Sequence, residues 1–354
     1  MRVALLGYGL AGRFFHRPLV TATDGLTLTT VVTSDPERQA HARADVPGVR
    51  VLAAAEGLWP IASEHELAVV ATPTGTHASL AARALEAGLP VVVEKPLATD
   101  AGAARGLAEA ARATGLALVP FHNRRWDADH RTLRALLERG ALGAVLRYEA
   151  RFERWRPVPD PGAWRETLGP GEGGGVLLDL GVHLVDQAMA LFGPVGAVYA
   201  EIDARRGGAD DDVFLALDHD TGVRSHLWAG AMAAAPGPRL RVLGSQAAYV
   251  HTELDGQEVA LRAGHDPAAP GFGAEPPERW GRLQWGGPGE GAQEPVPSET
   301  GCWRAFYAGV LAALRDGAPV PVRAEEAVAG LEVLDAARTS AAEGRVVTLG
   351  GPRA

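Results

Sequence analysis

The chain has 354 residues, 47% of them hydrophobic, and a formal charge of −9 at pH 7, so it is long enough for two domains with separate cores. Its arginines are scattered among Asp and Glu, which leaves no basic face for nucleic acid. A single cysteine, Cys302, excludes an internal disulfide and reads as a small core residue, in keeping with a reducing, cytoplasmic setting. The opening run "MRVALLGYGLAG" is too short and too broken by glycine for a signal peptide or a membrane span, so no membrane partner is expected. High Ala, Gly and Arg with almost no Lys is a compositional bias from which no function is drawn.

The first strand, "RVALL", runs into Gly7-Tyr8-Gly9-Leu10-Ala11-Gly12, a match to G-x-G-x-x-G that opens an amphipathic helix. Backbone N–H groups and the positive end of a helix at that place receive a pyrophosphate. Gly7 allows the tight turn, Gly9 removes a side chain that would block the phosphate, and Gly12 lets helix and strand approach. An ordinary glycine-rich turn is the alternative. The second strand, "LTLTTVVTS", ends in Thr33-Ser34-Asp35-Pro36-Glu37-Arg38, where the residue that meets the adenosine ribose is expected. Ser34 takes the place of the usual carboxylate and Arg38 can reach a 2′-phosphate, which favours NADP. Asp35, one residue later, argues for NAD, so the cofactor is NADP or NAD with the balance toward NADP.

The runs "VRVLA", "LAVVATPT", "PVVVEKP" and "LALVPF" follow, alternating with Ala- and Leu-rich stretches up to about residue 121. Strands apolar along their whole length, separated by helices, predict a Rossmann-type, doubly wound parallel sheet over residues 1–121. Thr99 and Asp100 cap a helix from Ala101 to Thr114, and Gly115 closes it. The fifth strand ends in Glu94-Lys95-Pro96 and aims a lysine out of the sheet. Most lysines are solvated surface residues, so the rest of the chain must decide whether this one acts.

Beyond a helix from Arg125 to Arg139, ended by Gly140, the texture changes. "VLRYEARFERW", "AVYAEIDARR", "VFLALDHD", "VRSHLWAGAMA", "LRVLGS" and "AAYVHTELD" alternate apolar with polar residues, as strands do when one sheet face is packed and the other is open. Residues 122–354 are therefore expected to form an α+β domain with a large, mostly antiparallel open sheet, and the whole chain to be α/β in class. Residues 264–300, dense in Gly and Pro, read as a long arm or loop. Helical patterns return at 301–315 and 324–341.

Within this half, "GPGEGGGVLLDLGVHLVDQAMALFG" supplies a glycine-rich loop and a helix from about Val176 to Leu191. Asp179 and His183 are four apart and share a helical face, with Asp186 close to the same line. An Asp and a His in register on so apolar a helix belong at the rim of a cleft; a hydrogen-bonded pair on a solvated face is the alternative. Two such ligands without a third make no metal site.

The glycine loop, Glu94-Lys95-Pro96, and the run from Gly173-Gly174-Gly175 through Asp179 to His183 together resemble the Gfo/Idh/MocA family of NAD(P)-dependent sugar and polyol oxidoreductases, over essentially the whole chain. The resemblance implies a catalytic set of Lys95, Asp179 and His183, with Thr72, Pro73, Thr74, His77 and Glu94 beside the cofactor. It implies a small polyol or sugar substrate of the inositol kind and permits a tetramer, while the exposed face of the antiparallel sheet suggests a dimer. The chemistry is consistent with those residues. Oxidising a secondary alcohol requires its hydroxyl proton to leave, which suits an imidazole base at His183, oriented by Asp179, while Lys95 donates a hydrogen bond to the oxygen. Asn123, Arg124, Trp126, Trp164 and Arg165 are the candidates for holding the substrate, although the tryptophans could be core residues and Arg124 a salt-bridged one. Two other readings stay open: a non-catalytic dinucleotide-binding regulator, and a glycosidase that uses the nucleotide only transiently.

Overall fold

The structure is a computed structural model that describes residues 1–286 and 291–350. Two compact units divide the chain. The first comprises Met1–Asn123, Gly256–Phe272 and Cys302–Val328, and the second comprises Arg124–Asp255, Gly273–Gly301 and the chain from Ala329 onward.

In the first unit, strands β1 (Arg2–Leu6), β2 (Thr27–Val32), β3 (Arg50–Leu52), β4 (Leu67–Val70), β5 (Val91–Glu94) and β6 (Leu118–Phe121) form one sheet in the order β3-β2-β1-β4-β5-β6. Every neighbouring pair is parallel. All four residues of β4 and of β5 are buried, because helices cover both faces of a parallel sheet, and this accounts for the unbroken β-branched runs. The helices are α1 (Arg17–Thr21), preceded by a wide π-helical turn over Gly12–His16, α2 (Pro36–Asp45), α3 (His77–Glu86) and α4 (Ala101–Thr114). As the sequence predicts, the Asp100 side chain accepts from Ala103 N at 2.9 Å and Gly115 ends α4 at φ 69°. Strand order reverses between β1 and β4, and in such sheets the crevice at that reversal, outside the carboxyl ends of the strands, is where ligands bind.

Two later helices, Gln257–Arg262 and Arg304–Asp316, belong to this unit. Gln257 Oε1 accepts from Trp303 N at 2.7 Å. Phe306 meets Phe121 edge-on at 4.8 Å, so an aromatic cluster is shared by the end of β6 and a helix far along the chain.

The second unit holds α5 (Ala128–Glu138), β7 (Val145–Glu153), α6 (Trp164–Thr167), α7 (Val182–Phe192), β8 (Val195–Asp203), β9 (Asp212–His219), β10 (Arg224–Gly230), β11 (Leu240–Gly244), β12 (Ala248–His251), β13 (Arg282–Gln284), β14 (Gln293–Pro295) and β15 (Val347–Thr348). The sheet order is β14-β13-β12-β11-β7-β10-β9-β8-β15, antiparallel except where β7 and β10 run parallel. Tyr148, Ala150 and Phe152 of β7 are buried; of the alternate positions, Arg147 and Arg151 are half-buried and Glu149 is buried. One face is therefore packed, and the other carries Trp228 and Phe214 with the Arg151 guanidinium 3.9 Å from the Trp228 ring centre.

The segment 264–300 departs from the expected loop: β13 and β14 extend the sheet at its edge, with Leu283 opposite Tyr249 and 3% exposed. Glycine and proline density hid two three-residue strands, of which β13 pairs with β12 and β14 with β13, so that the edge of the sheet and not a local pattern supplies their pairing. Residues 287–290 of that segment lie outside the described residues.

Candidate functional site

At the carboxyl end of β1 the three glycines play different parts. A Cβ on Gly7 (φ +98°) would fall 2.4 Å from Ala71 O, and one on Gly12 would fall 2.1 Å from Gly7 O, so close packing against the end of β4 requires Gly7 and close packing within the loop requires Gly12. A Cβ on Gly9 would meet only Arg38, with Nη1 at 3.7 Å, an ordinary contact. Nothing among the described residues explains the bare backbone at Gly9. A dinucleotide pyrophosphate laid on that backbone explains it, and the loop fits one. Of the other loop residues, Leu10 is 43% exposed and Ala11 half-buried, whereas Tyr8 turns inward, its hydroxyl donating to Asp45 at 3.1 Å.

Beyond β2, Ser34 is exposed and Asp35 is the N-cap of α2. Asp35 Oδ1 accepts from Glu37 N at 2.9 Å and Arg38 N at 3.2 Å, and its Oδ2 lies 3.5 Å from Arg38 Nε. The carboxylate that argues for NAD in the sequence is thus engaged in capping. The Arg38 guanidinium lies next to Gly9 of the phosphate loop.

At the ends of β4 and β5, Thr72 Oγ1 and Thr76 Oγ1 are 2.7 Å apart, Pro73 is exposed and Thr74 is buried. His77, 1% exposed, joins the two ends: its Nδ1 lies 2.8 Å from Pro96 O and its Nε2 2.8 Å from Thr72 O. Carbonyl oxygens only accept, so a ring with a proton on each nitrogen satisfies both contacts. Glu94 is 7% exposed; its Oε2 accepts from Lys95 N at 3.0 Å and its Oε1 lies 3.1 Å from His16 Nε2. Lys95 itself is half-buried, and Lys95–Pro96 is a cis bond.

In the second unit the helix expected from Val176 begins as a π-helical turn, Leu177–Gly181, that carries Asp179 and leads into α7 with the 5% exposed His183. The glycine run before it has a packing cause: Gly175, at φ +96°, has Asp210 Oδ1 where a Cβ would sit, and Asp210 Oδ2 accepts from Leu177 N at 2.7 Å. Burial raises the Asp210 carboxyl despite that hydrogen bond. Arg165 Nε lies 3.2 Å from Asp179 Oδ1, and the Arg165 guanidinium lies 4.3 Å from the Trp164 ring centre. Three residues proposed from the sequence for two different roles are therefore one cluster. Glu166, in the same short helix α6, is tied to buried Arg206 at 3.0 Å, and Arg206 to Asp211 at 2.8 Å.

Other candidates are tied to the protein. Arg124 pairs with Asp127 at 3.3 Å and lies over Phe152 at 4.8 Å. Asp186, read as sharing the line of Asp179 and His183, takes both ends of Arg125 at 2.9 and 2.6 Å. Asn123 is buried, Trp126 half-buried, and both lie in the short turn Asn123–Trp126. Sequence reasoning missed Phe152, whose ring meets that of His183 at 6.0 Å, and His16 and Tyr307 behind Glu94. Among the described residues no group of three or more His, Cys, Asp or Glu is placed to hold a metal, and no helix is long and apolar enough to cross a membrane.

Comparison with known proteins gives two family matches. Residues 1–122 match the oxidoreductase family with an NAD-binding Rossmann fold, and residues 130–250 match the GFO/IDH/MocA C-terminal domain. The chain is 34% identical over 350 residues to scyllo-inositol 2-dehydrogenase (NADP(+)) of Bacillus subtilis, covering 99% of this chain and 96% of that one. It is 37% identical over 343 residues to an uncharacterized oxidoreductase of Escherichia coli, covering 95% and 94%. A solved oxidoreductase structure from Bacillus subtilis superposes with a TM-score of 0.92 at 34% identity, over 99% of this chain and 98% of that one.

Proposed function

Since this chain belongs to the GFO/IDH/MocA family of NAD(P)-binding oxidoreductases, we propose that it transfers hydride between NADP, in preference to NAD, and a secondary alcohol or ketone carbon of an inositol-like cyclic polyol or sugar. The chemistry is carried by one observation: Lys95 is the only lysine in the chain, the other 33 of the 34 Lys and Arg residues being arginine. A guanidinium donates hydrogen bonds but does not give up its proton near neutral pH, whereas an ammonium can do both. A chain that uses arginine everywhere else keeps an amine at the strand end beside the phosphate loop.

When bound, the nicotinamide supplies the carbon that accepts or returns hydride. Lys95 hydrogen-bonds the substrate oxygen, stabilises the negative charge that grows there and helps relay the proton. His183 takes the hydroxyl proton, and Asp179 stabilises the charged ring. Trp164 and Arg165 supply an apolar face and hydrogen-bond donors, a pairing suited to a ring with C–H bonds on its faces and hydroxyls at its rim; Asn123 and Trp126 line the substrate's place and Arg124 supports them. The substrate class is supported by the name of the Bacillus subtilis relative, and the NADP preference by the capping role of Asp35 and the position of Arg38. The protein is cytoplasmic and a homo-oligomer, built on the open sheet face that displays Arg151, Phe214 and Trp228.

Incubating the protein with scyllo-inositol, myo-inositol, hexoses and the corresponding keto compounds, with each cofactor, and following reduced nicotinamide tests this. A sustained signal with at least one cyclic polyol and NADP is expected. Substrate turnover without net nicotinamide change would favour a glycosidase, and cofactor binding without any turnover a regulator.

A further inference from the structure

Behind the end of β5 lies a run of hydrogen bonds that the chemistry above does not use. Tyr307 and His16 are both fully buried, and Tyr307 Oη lies 2.5 Å from His16 Nδ1. His16 Nε2 lies 3.1 Å from Glu94 Oε1, and the second oxygen of Glu94 accepts the backbone N–H of Lys95 at 3.0 Å. The rings of Phe121 and His16 are 4.4 Å apart, which seals the run from solvent on that side.

The donors fix the proton positions. A carboxylate only accepts, so His16 Nε2 carries the proton toward Glu94, and the Tyr307 hydroxyl can donate to the lone pair of Nδ1. Every group is then satisfied with Glu94 ionised. Burial works against that charge, but the His16 hydrogen bond, together with the positive charges that His16, Lys95 and His77 carry when protonated, outweighs it and holds the Glu94 carboxyl below its usual range. Burial, with the charge on Glu94, pushes the Tyr307 phenol well up, so it stays a donor.

We infer that Tyr307, His16 and Glu94 are positioning residues that fix one negative charge beside Lys95 and so keep its amine protonated and in place. The inference rests on the proposed role of Lys95 at the substrate oxygen. The groups that face Glu94 are His16 from the turn after the phosphate loop, His77 from α3, Tyr307 from the helix Arg304–Asp316, and Lys95 itself. Removing the charge at 94 makes the ammonium easier to deprotonate, because an opposite charge nearby favours the charged form of both partners. Removing the phenol hydroxyl leaves His16 Nδ1 without its donor and loosens the ring that steadies the carboxylate.

The single lysine makes this directly measurable. Reductive methylation of the whole protein with carbon-13 formaldehyde marks only the amino terminus and Lys95, and the Lys95 resonance can be titrated by NMR without any turnover. Glu94→Gln is expected to lower the Lys95 midpoint by about one pH unit, and Tyr307→Phe to lower it by a smaller step. Glu86→Gln, at an exposed acid of α3, is expected to leave it unchanged. An unmoved midpoint in folded Glu94→Gln overturns the inference. If that variant does not fold, Tyr307→Phe, which removes one oxygen, decides the matter, and an unmoved midpoint there overturns it equally. A protein that shows the shifts yet oxidises no polyol would retain the positioning chain while the proposed function fails.

Discussion

Replacing Gly9 by alanine separates the needs of the fold from those of the cofactor. The new Cβ would touch only Arg38, 3.7 Å from Nη1, and Gly9 is not held at a left-handed φ. The folded protein therefore has room for it, and loss of glycine freedom in the unfolded chain should raise stability by about 0.4–1 kcal/mol. On the proposed assignment of the loop, the same methyl stands where a phosphate oxygen approaches the backbone. Losing one hydrogen bond to a charged group costs about 1.5–3 kcal/mol, or about 10- to 100-fold in Kd. Gly12→Ala is the counterpart: its Cβ would lie 2.1 Å from Gly7 O, which costs about 1–3 kcal/mol or more through overpacking. Thermal unfolding of the cofactor-free protein and fluorescence titration with NADPH read the two effects separately. A Gly9→Ala protein that binds NADPH as tightly as the parent, or that loses stability as Gly12→Ala does, refutes the assignment of the phosphate loop.

Arg38→Ala is expected to weaken NADPH about tenfold, one charge-assisted contact, and NADH little, while equal losses for both would remove Arg38 from the 2′-phosphate. Asp35→Ala should cost about 1 kcal/mol in denaturant unfolding through the lost cap, and a collapse of NADH binding with unchanged stability would return Asp35 to the ribose. Stability should also fall in acid. Burial outweighs the pull of Asp129 and Asp186 and holds His130 down to about 4 from 6.5. The unfolded chain then binds the extra proton first, so this contribution is complete above pH 6.5 and is lost as pH falls toward 4, by about 3 kcal/mol. Urea unfolding across that range measures it, and a pH-independent difference between the parent and His130→Gln would contradict it.

Much of the first unit is legible in the sequence because buried parallel strands are uniformly apolar and α4 carries both its cap and its closing glycine. Asp35 shows where one signal can be read two ways: "SDPER" is a helix start, with a cap and a proline at the first turn, and the ribose expectation at the same place took precedence. The helix at Val176 is legible from its leucines, but the wide turn through Leu177–Gly181 is not, and neither is the contact of its first residue and Gly175 with Asp210, more than thirty residues on. His16 and Tyr307 are 291 residues apart, and no local period joins them to Glu94. His16 reads in "GRFFH" as part of an apolar helix face. The scarcity of lysine looked like bare composition until the remaining lysine was placed at the end of β5.

Lys95→Arg tests the account most directly, because it keeps the positive charge and installs the residue the chain uses at every other basic position. Steady-state turnover of a cyclic polyol with NADP should fall by about 10² or more, the usual scale for a group that moves a proton, with NADPH affinity nearly unchanged. Turnover within a few-fold of the parent would show that a cation alone suffices there, and the role given to the amine would fall.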